Sequence, residues 1–298
     1  MNVLLIIFNR PKLTARVFEQ IRKSRPAKLF IAADGPRDDI VDEKQLCEES
    51  RAVIGMIDWP CEIETRFQEN NLGCKMHVSS AITWFFNNVE EGIILEDDCL
   101  PVPSFFLFCT KLLDKYKHEE SIMHINGSNF LDTSHISDSS FDYHFSRCIH
   151  VWGWASWKRA WNKYDLNMSH IDLLKHSDEF SNFFLKKKHL NYWIRHFRHI
   201  KKNAIDTWDA QWQYSILYNG GIVVSPNINM IENIGFGIDA THTSSNDKRF
   251  IPVGEISSTL RCPPTVDVDM QADDNLISTV YERSIYRRIT SKVLSIIR

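Results

Sequence analysis

Three carboxylates in a row, Glu96-Asp97-Asp98, close the apolar run Gly92-Ile93-Ile94-Leu95. Adjacent acids at a strand end repel one another, so an uncompensated cluster there costs stability. A divalent cation removes that cost, and an all-oxygen site suits Mg²⁺ or Mn²⁺. An ion held there can in turn grip a diphosphate. The plainer alternative is a solvated acidic turn. Against it, Val102, Phe105, Phe106 and Phe108 follow at once and pin the turn between packed elements.

The elements that must position this cluster follow from the apolar pattern. Val3-Phe8 is a continuous apolar run, as expected of a strand buried on both faces. Asn9-Arg10-Pro11 breaks it, and Leu13, Val17 and Ile21 continue at helical spacing. Leu29-Ala33 reads as a second buried strand, stopped by Asp34-Gly35-Pro36. A charged helix is predicted over roughly 39–57, a third strand over 61–67 and an amphipathic helix over 75–88. This alternation predicts an α/β fold with a mostly parallel central sheet and helices on both faces. Ligands of such sheets bind at the carboxyl ends of the strands. Asn9-Arg10, Asp34, Asn70-Asn71 and Glu96-Asp97-Asp98 all fall there.

At 298 residues the chain has room for one large domain or two modest ones. Its formal net charge of −3 gives no bulk attraction to nucleic acid. The seven cysteines are scattered with no CxxC pair, which reads as reduced thiols rather than a disulfide framework or a zinc site. Val3-Phe8 is too short for a signal-peptide core, and no run approaches the ~20 apolar residues of a membrane span. A cytoplasmic protein is expected.

The second half is dense in tryptophan: Trp152, Trp154, Trp157 and Trp161 lie close together, with Trp208 and Trp212 later. Such a cluster is either core or the floor of a pocket, because flat aromatic faces pack against sugar rings. Residues 170–204 look helical and strongly basic, as a solvated face or as a patch for an anionic partner. Gly220-Gly221 ends a helix and opens a strand over 222–225. The stretch 233–243 combines glycines, Asp239 and His242, as a substrate-covering loop does. In the tail, Ile285, Ile289, Val293 and Ile296 recur at helical spacing among five basic residues. That helix either lies on an anionic membrane as a peripheral contact or docks on the protein's own body.

Taken in order, these motifs resemble the GT-A-fold, nucleotide-sugar-dependent glycosyltransferases. The motif order resembles that of the N-acetylglucosaminyltransferase I family and of related bacterial polysaccharide glycosyltransferases. The resemblance runs from residue 2 to about 245 and rests on short motifs. Leu95-Glu96-Asp97-Asp98 followed by Pro103-Ser104-Phe105-Phe106 is the most specific, with Phe8-Asn9-Arg10, Asp34 and His77 supporting it in order. The resemblance implies a Rossmann-like GT-A domain over 1–265, with a nucleotide-binding half (1–100), an acceptor-binding half (101–265) and a tail (266–298). It implies Mn²⁺ or Mg²⁺ on Asp98, ribose on Asp97 and the transferred sugar or a metal-bound water on Glu96. Arg10 would contact the diphosphate beside Asn9, where the family carries an acid. Asp34 would accept from the ring N–H of a uracil, with His77 near the same base.

An inverting transfer also needs a carboxylate base opposite the leaving diphosphate. In the family an aspartate after a tryptophan, at a helix start, fills that role. Trp208-Asp209 matches it, with Asp206 as the substitute. His242 would add a further metal or phosphate ligand. The expected function is therefore metal-dependent transfer from a nucleotide sugar, UDP foremost, to a saccharide or lipid-linked saccharide in surface-polysaccharide or glycan synthesis. The alternatives are a sugar-phosphate nucleotidylyltransferase, which should show a glycine-rich loop after its first strand, and a non-catalytic carbohydrate-binding protein.

Overall fold

The computed structural model describes residues 1–236 and 252–282. The chain begins β1 (Asn2–Ile7), α1 (Pro11–Ser24), β2 (Lys28–Ala33), α2 (Glu43–Arg51), β3 (Glu62–Phe67), α3 (Gly73–Asn88) and β4 (Glu91–Glu96). It continues with β5 (Cys99–Pro101), α4 (Pro103–Tyr116), β6 (Ile122–Asn126), β7 (Tyr143–Ser146), β8 (Trp154–Trp157) and α5 (Lys158–Trp161). Then come α6 (Ile171–Leu174), α7 (Asp178–Ser181), α8 (Lys187–Lys202), α9 (Asp209–Tyr218), β9 (Ile222–Pro226), β10 (Ile231–Asn233) and α10 (Met270–Leu276).

One eight-stranded sheet runs in the order β3-β2-β1-β4-β8-β6-β9-β7. The first four strands are mutually parallel, so their carboxyl ends share one edge. β8 is antiparallel to both β4 and β6 and joins the four parallel strands to those of the second half. β5 and β10 form a separate two-stranded ribbon beside the end of β4. This is the α/β, Rossmann-like sheet expected from the alternating pattern.

Strand periodicity divides the core by face. Val3, Leu5 and Ile7 pack with Val17 and Phe18 of α1 and Phe105 and Phe108 of α4. Leu4 and Ile6 point the other way, onto Val78 and Phe85 of α3 and Trp212 of α9. A third cluster fills the space between α8, α9 and the C-terminal residues, including Trp193, Phe197, Tyr214 and Ile277. The tryptophan cluster resolves accordingly: Trp154, Trp161, Trp208 and Trp212 are core, while Trp152 is half-buried.

Several predicted boundaries shift for local reasons. The helix expected over 39–57 is α2 followed by a 3₁₀ turn (Ala52–Met56). Its start is delayed because Asp42 adopts a left-handed backbone (φ 64°). The basic stretch 170–204 splits into α6, α7 and α8, with Ser177 capping α7 through the amide of Phe180. Residues 266–282 lie against the body: Asp273 accepts from Ser146 Oγ at 2.5 Å and the Arg147 amide at 2.8 Å, and Lys186 pairs with Asp274 at 2.5 Å. The tail stripe from Ile285 to Ile296 lies outside the described residues, as does His242. No helix among the described residues is long and apolar enough to cross a membrane.

Candidate active site

The centre of the site is the end of β4. The parallel register Ile6↔Glu96 sets the residues after β1 beside the acid triplet. Only Phe8, Asn9 and Arg10 separate β1 from α1, which starts abruptly at Pro11 with its ring at a position needing no N–H. Arg10 is thereby thrust over the triplet. Its guanidinium bridges Asp97 and Asp98, donating to Asp98 Oδ2 at 3.0 Å. Burial works against the Arg10 charge, but Asp97 and Asp98 outweigh it and hold the group protonated. The second oxygen of Asp97 accepts from the Phe8 amide at 3.3 Å, and Asp97 is only 2% exposed.

Glu96 is the member left over. It accepts no hydrogen bond among the described residues. Burial raises its carboxyl well above the usual range, and Asp98 and Asp97 raise it further. Asp97 is raised too, by burial first, with Arg10 pulling it back. Asp98 keeps a more open oxygen, whose one protein contact is the weakly donating Cys99 thiol at 3.3 Å. The chain returning from β10 crosses this carboxylate: the Ile234 amide donates to the Asp98 carbonyl at 2.8 Å. A Cβ at Gly235 would collide with the Asp98 side chain, so only glycine fits there.

Asp209 enters from the second half, as the first residue of α9. The helix is fixed in place by a chain of donors. Trp212 Nε1 donates to His124 Nδ1 at 3.1 Å, so the His124 proton resides on Nε2, which donates to the His150 carbonyl at 3.2 Å. Burial keeps that imidazole neutral, with its pKa pushed down to about 3. One oxygen of Asp209 accepts from Thr207 Oγ1 and, at 2.8 Å, from the Ala210 amide; the other accepts nothing among the described residues. Asp209 adds to the upward shift of Glu96. The thiol of Cys74 is pushed up by burial and then by Glu96, Asp209, Asp206 and Asp34, which marks where these acids converge.

Asp206 does a different job. Its two oxygens accept from the amides of Cys74 (2.9 Å) and Lys75 (2.8 Å), capping α3 from 131 or more positions away. Both oxygens of this reserve base are thus engaged by a helix end. Asp34 is likewise drawn into architecture: its carboxylate accepts from the amides of Gly35 and Leu72, each at 2.9 Å, and from Asn71 Nδ2 at 3.1 Å. His77 lies 3.7 Å from Asp34, is 4% exposed, and neither ring nitrogen has a hydrogen-bond partner among the described residues. Burial, then Arg66 and Arg51, push its pKa down to about 4, so it is neutral at pH 7.

Asn9 faces away from the triplet and donates to Glu43 Oε1 at 2.7 Å. Sequence reasoning missed Glu43, a 1% exposed acid that also takes the Arg37 amide at 2.7 Å. Its place in a charged helix hid it. It missed Gly235 and Cys74 too, since neither the close approach nor the converging acids have a local signature.

Among the described residues no three His, Cys, Asp or Glu side chains are arranged as a metal cage. The donor set nevertheless fits a hard cation shared with a diphosphate, a mode that needs only one or two carboxylates. Glu96, Asp97 and Asp98 all act on Arg10, and Asp209 adds to the upward shift of Glu96, so acids outnumber this cation among the described residues.

No protein-family model matches the chain, and no curated protein matches it in sequence. Among solved structures it is similar to the 4-diphosphocytidyl-2C-methyl-D-erythritol synthase of Anaerococcus prevotii, at 12% identity and a TM-score of 0.34. That match covers 59% of this chain and 84% of the other. A UDP-glucose pyrophosphorylase complexed with UDP-glucose is similar at 11% identity and a TM-score of 0.28, over 49% of this chain and 63% of the other. Likenesses this distant assign no reaction.

Proposed function

We propose that the chain is a metal-dependent glycosyltransferase that moves a sugar from a nucleoside diphosphate, UDP foremost, to a saccharide acceptor with inversion. The observation that carries this reading is the pair of uncommitted carboxylates, Glu96 and Asp209, set around a cleft whose floor is the Arg10–Asp97–Asp98 cluster. Arg10 contacts the diphosphate, and Asp98 would hold a Mg²⁺ or Mn²⁺, which when bound would neutralise charge on the leaving group. The second oxygen of Asp209 takes the proton of an acceptor hydroxyl as that oxygen bonds to the anomeric carbon. The bond from that carbon to the phosphate oxygen breaks, and the nucleoside diphosphate leaves with the electron pair. Glu96 faces the transferred sugar. Asp34 retains a lone-pair position for a uracil N–H beside the neutral ring of His77.

A nucleotidylyltransferase is the competing reading, and the short join between β1 and α1 counts against it. Phe8-Asn9-Arg10 contains no glycine and leaves no loop of backbone amides to cradle a triphosphate. Calorimetric titration with UDP, with and without Mn²⁺, tests the site. Metal-dependent binding, followed by release of UDP from a UDP-sugar in the presence of saccharides, is expected. Pyrophosphate release from UTP and a sugar 1-phosphate would assign the chain to the competing class instead.

A further inference from the structure

The acceptor side of this cleft carries a feature that the transfer chemistry above does not use. The antiparallel ladder between β4 and β8 ends at Ile94↔Trp154. One step further sets Gly153 beside Leu95, and the contact is direct: a Cβ on Gly153 would lie 3.1 Å from Leu95 Cδ2 and 2.6 Å from Ile231 Cδ1. Trp152 is tied to the acid triplet through Phe236, whose ring meets it and which directly follows Gly235, packed on the Asp98 side chain. Gly153 is also left-handed (φ 59°), which turns the chain sharply between a fully buried Trp154 and a half-buried Trp152. The two tryptophans that flank this glycine therefore have opposite fates.

Trp152 is braced from two sides. Phe130 meets it edge-on with ring centres 4.9 Å apart, and Phe236 does so at 5.6 Å. Phe130 comes from the loop after β6, and Phe236 directly follows the glycine that covers Asp98. Behind Phe130, His150 packs at 4.2 Å, and its ring is stacked on Tyr281 of the C-terminal segment. Segments far apart in sequence thus brace one indole, one of them through the residue that follows Gly235 at Asp98. Rigid placement of a half-buried aromatic costs apolar exposure that a purely structural ring, such as Trp154, avoids.

We infer that Trp152, braced by Phe130 and Phe236, is the platform for the acceptor saccharide whose attacking hydroxyl gives its proton to Asp209. The inference rests on the transfer reading above. A pyranose presents an apolar C–H face and a rim of hydroxyls, and this corner presents a flat indole to that face. Trp152 is a positioning residue: it touches the acceptor and takes no part in proton transfer.

The test uses the full chain and a panel of p-nitrophenyl glycosides as the acceptor probe. Trp152→Ala should raise the acceptor KM about tenfold, equivalent to ~1.4 kcal/mol, while the KM for the UDP-sugar stays within about twofold. Trp152→Phe should restore most of the acceptor affinity, since a flat ring remains. An unchanged acceptor KM in Trp152→Ala would overturn the inference, as would donor and acceptor KM rising together. Thermal melting of each variant separates misfolding from lost binding. If the wild-type chain turned over no nucleotide sugar, the transfer reading would fall, and saturation-transfer NMR with the same glycosides would decide the platform by itself. Glycoside binding lost in Trp152→Ala and regained in Trp152→Phe supports it; no glycoside binding by the wild type overturns it.

Discussion

The acids around the cleft separate into two regions that look alike in sequence and behave oppositely in the fold. On the side of β2 and α3, Asp34 and Asp206 spend their oxygens on backbone amides and on Asn71, so that they hold the turn at 70–73 and the start of α3. At the centre, among the described residues, Glu96 accepts nothing, one oxygen of Asp209 accepts nothing, and Asp98 meets Arg10 and a thiol. A carboxylate saturated by amides is architecture; one left buried with an unclaimed oxygen has its charge reserved for something else. Asp97 belongs to neither group, since it ties the centre to β1 through Arg10 and Phe8.

Removing Arg10 attacks the junction and should have the largest effect. Arg10→Met leaves Asp97 buried without its partner, and breaking a buried pair in this way costs about 3 kcal/mol or more. The loss should depend on pH in a definite direction. Glu96 and Asp97 are raised above their unfolded values, so their contribution to stability is full below the ordinary carboxylate pKa and is lost as pH rises through the raised values. Urea midpoints should therefore fall as pH rises, more steeply in the variant, and Mg²⁺ should restore more stability at high pH than at low pH. A flat profile that ignores Mg²⁺ would mean that the centre carries no excess charge.

Asp209→Asn isolates the uncommitted oxygen. Transfer should drop by ~10²-fold or more, about 2.7 kcal/mol of barrier, with UDP affinity preserved. The amide can still accept from Thr207 and Ala210, so the fold has no reason to change. A kcat within a few-fold of wild type would remove Asp209 from the reaction. An NMR product of retained configuration would do the same.

The strand ends were legible in the sequence because hydrophobic period and turn residues act over a few positions. Val3-Phe8, Leu29-Ala33 and Gly92-Leu95 announce themselves, and the parallel sheet follows from their spacing. The division of labour among the acids was not legible, because partners 30 or more positions away claim Asp206, Asp34 and, through Asn9, Glu43. Asp206 looks like a second candidate base beside Asp209 until the amides of Cys74 and Lys75 come into contact with it. Glu43 reads as a solvated helix acid until Asn9 and Arg37 close around it. Trp152 and Trp154 are indistinguishable in sequence, and a left-handed glycine between them sends one inward.

Asp34→Ala tests the saturated region at its strongest point. Three hydrogen bonds to Gly35, Leu72 and Asn71 disappear, two of them from amides that are then left to water or to nothing. A cost of about 2 kcal/mol is expected, at roughly 0.5–1.5 kcal/mol for each bond and with partial rescue by solvent. UDP binding should weaken as well, because the same carboxylate faces His77. If stability held and only UDP binding fell, Asp34 would belong with the uncommitted acids.

The smallest effect should come from Asp206→Ala, and it draws the line between the two regions most finely. The side chain is exposed apart from its two bonds to the first turn of α3, so its loss resembles the loss of an N-cap, about 1 kcal/mol. In a chain of this size that corresponds to a fall in Tm of about 2 °C. Asp206→Asn, which keeps one accepting oxygen, should fall in between. Transfer should persist in both, because α3 stays docked through Val78, Phe85 and Phe86 in the core. Should Asp206→Ala instead abolish transfer while its melting curve overlays the wild type, Asp206 would be the base and Asp209 the structural acid, and the partition drawn from their hydrogen bonds would be reversed.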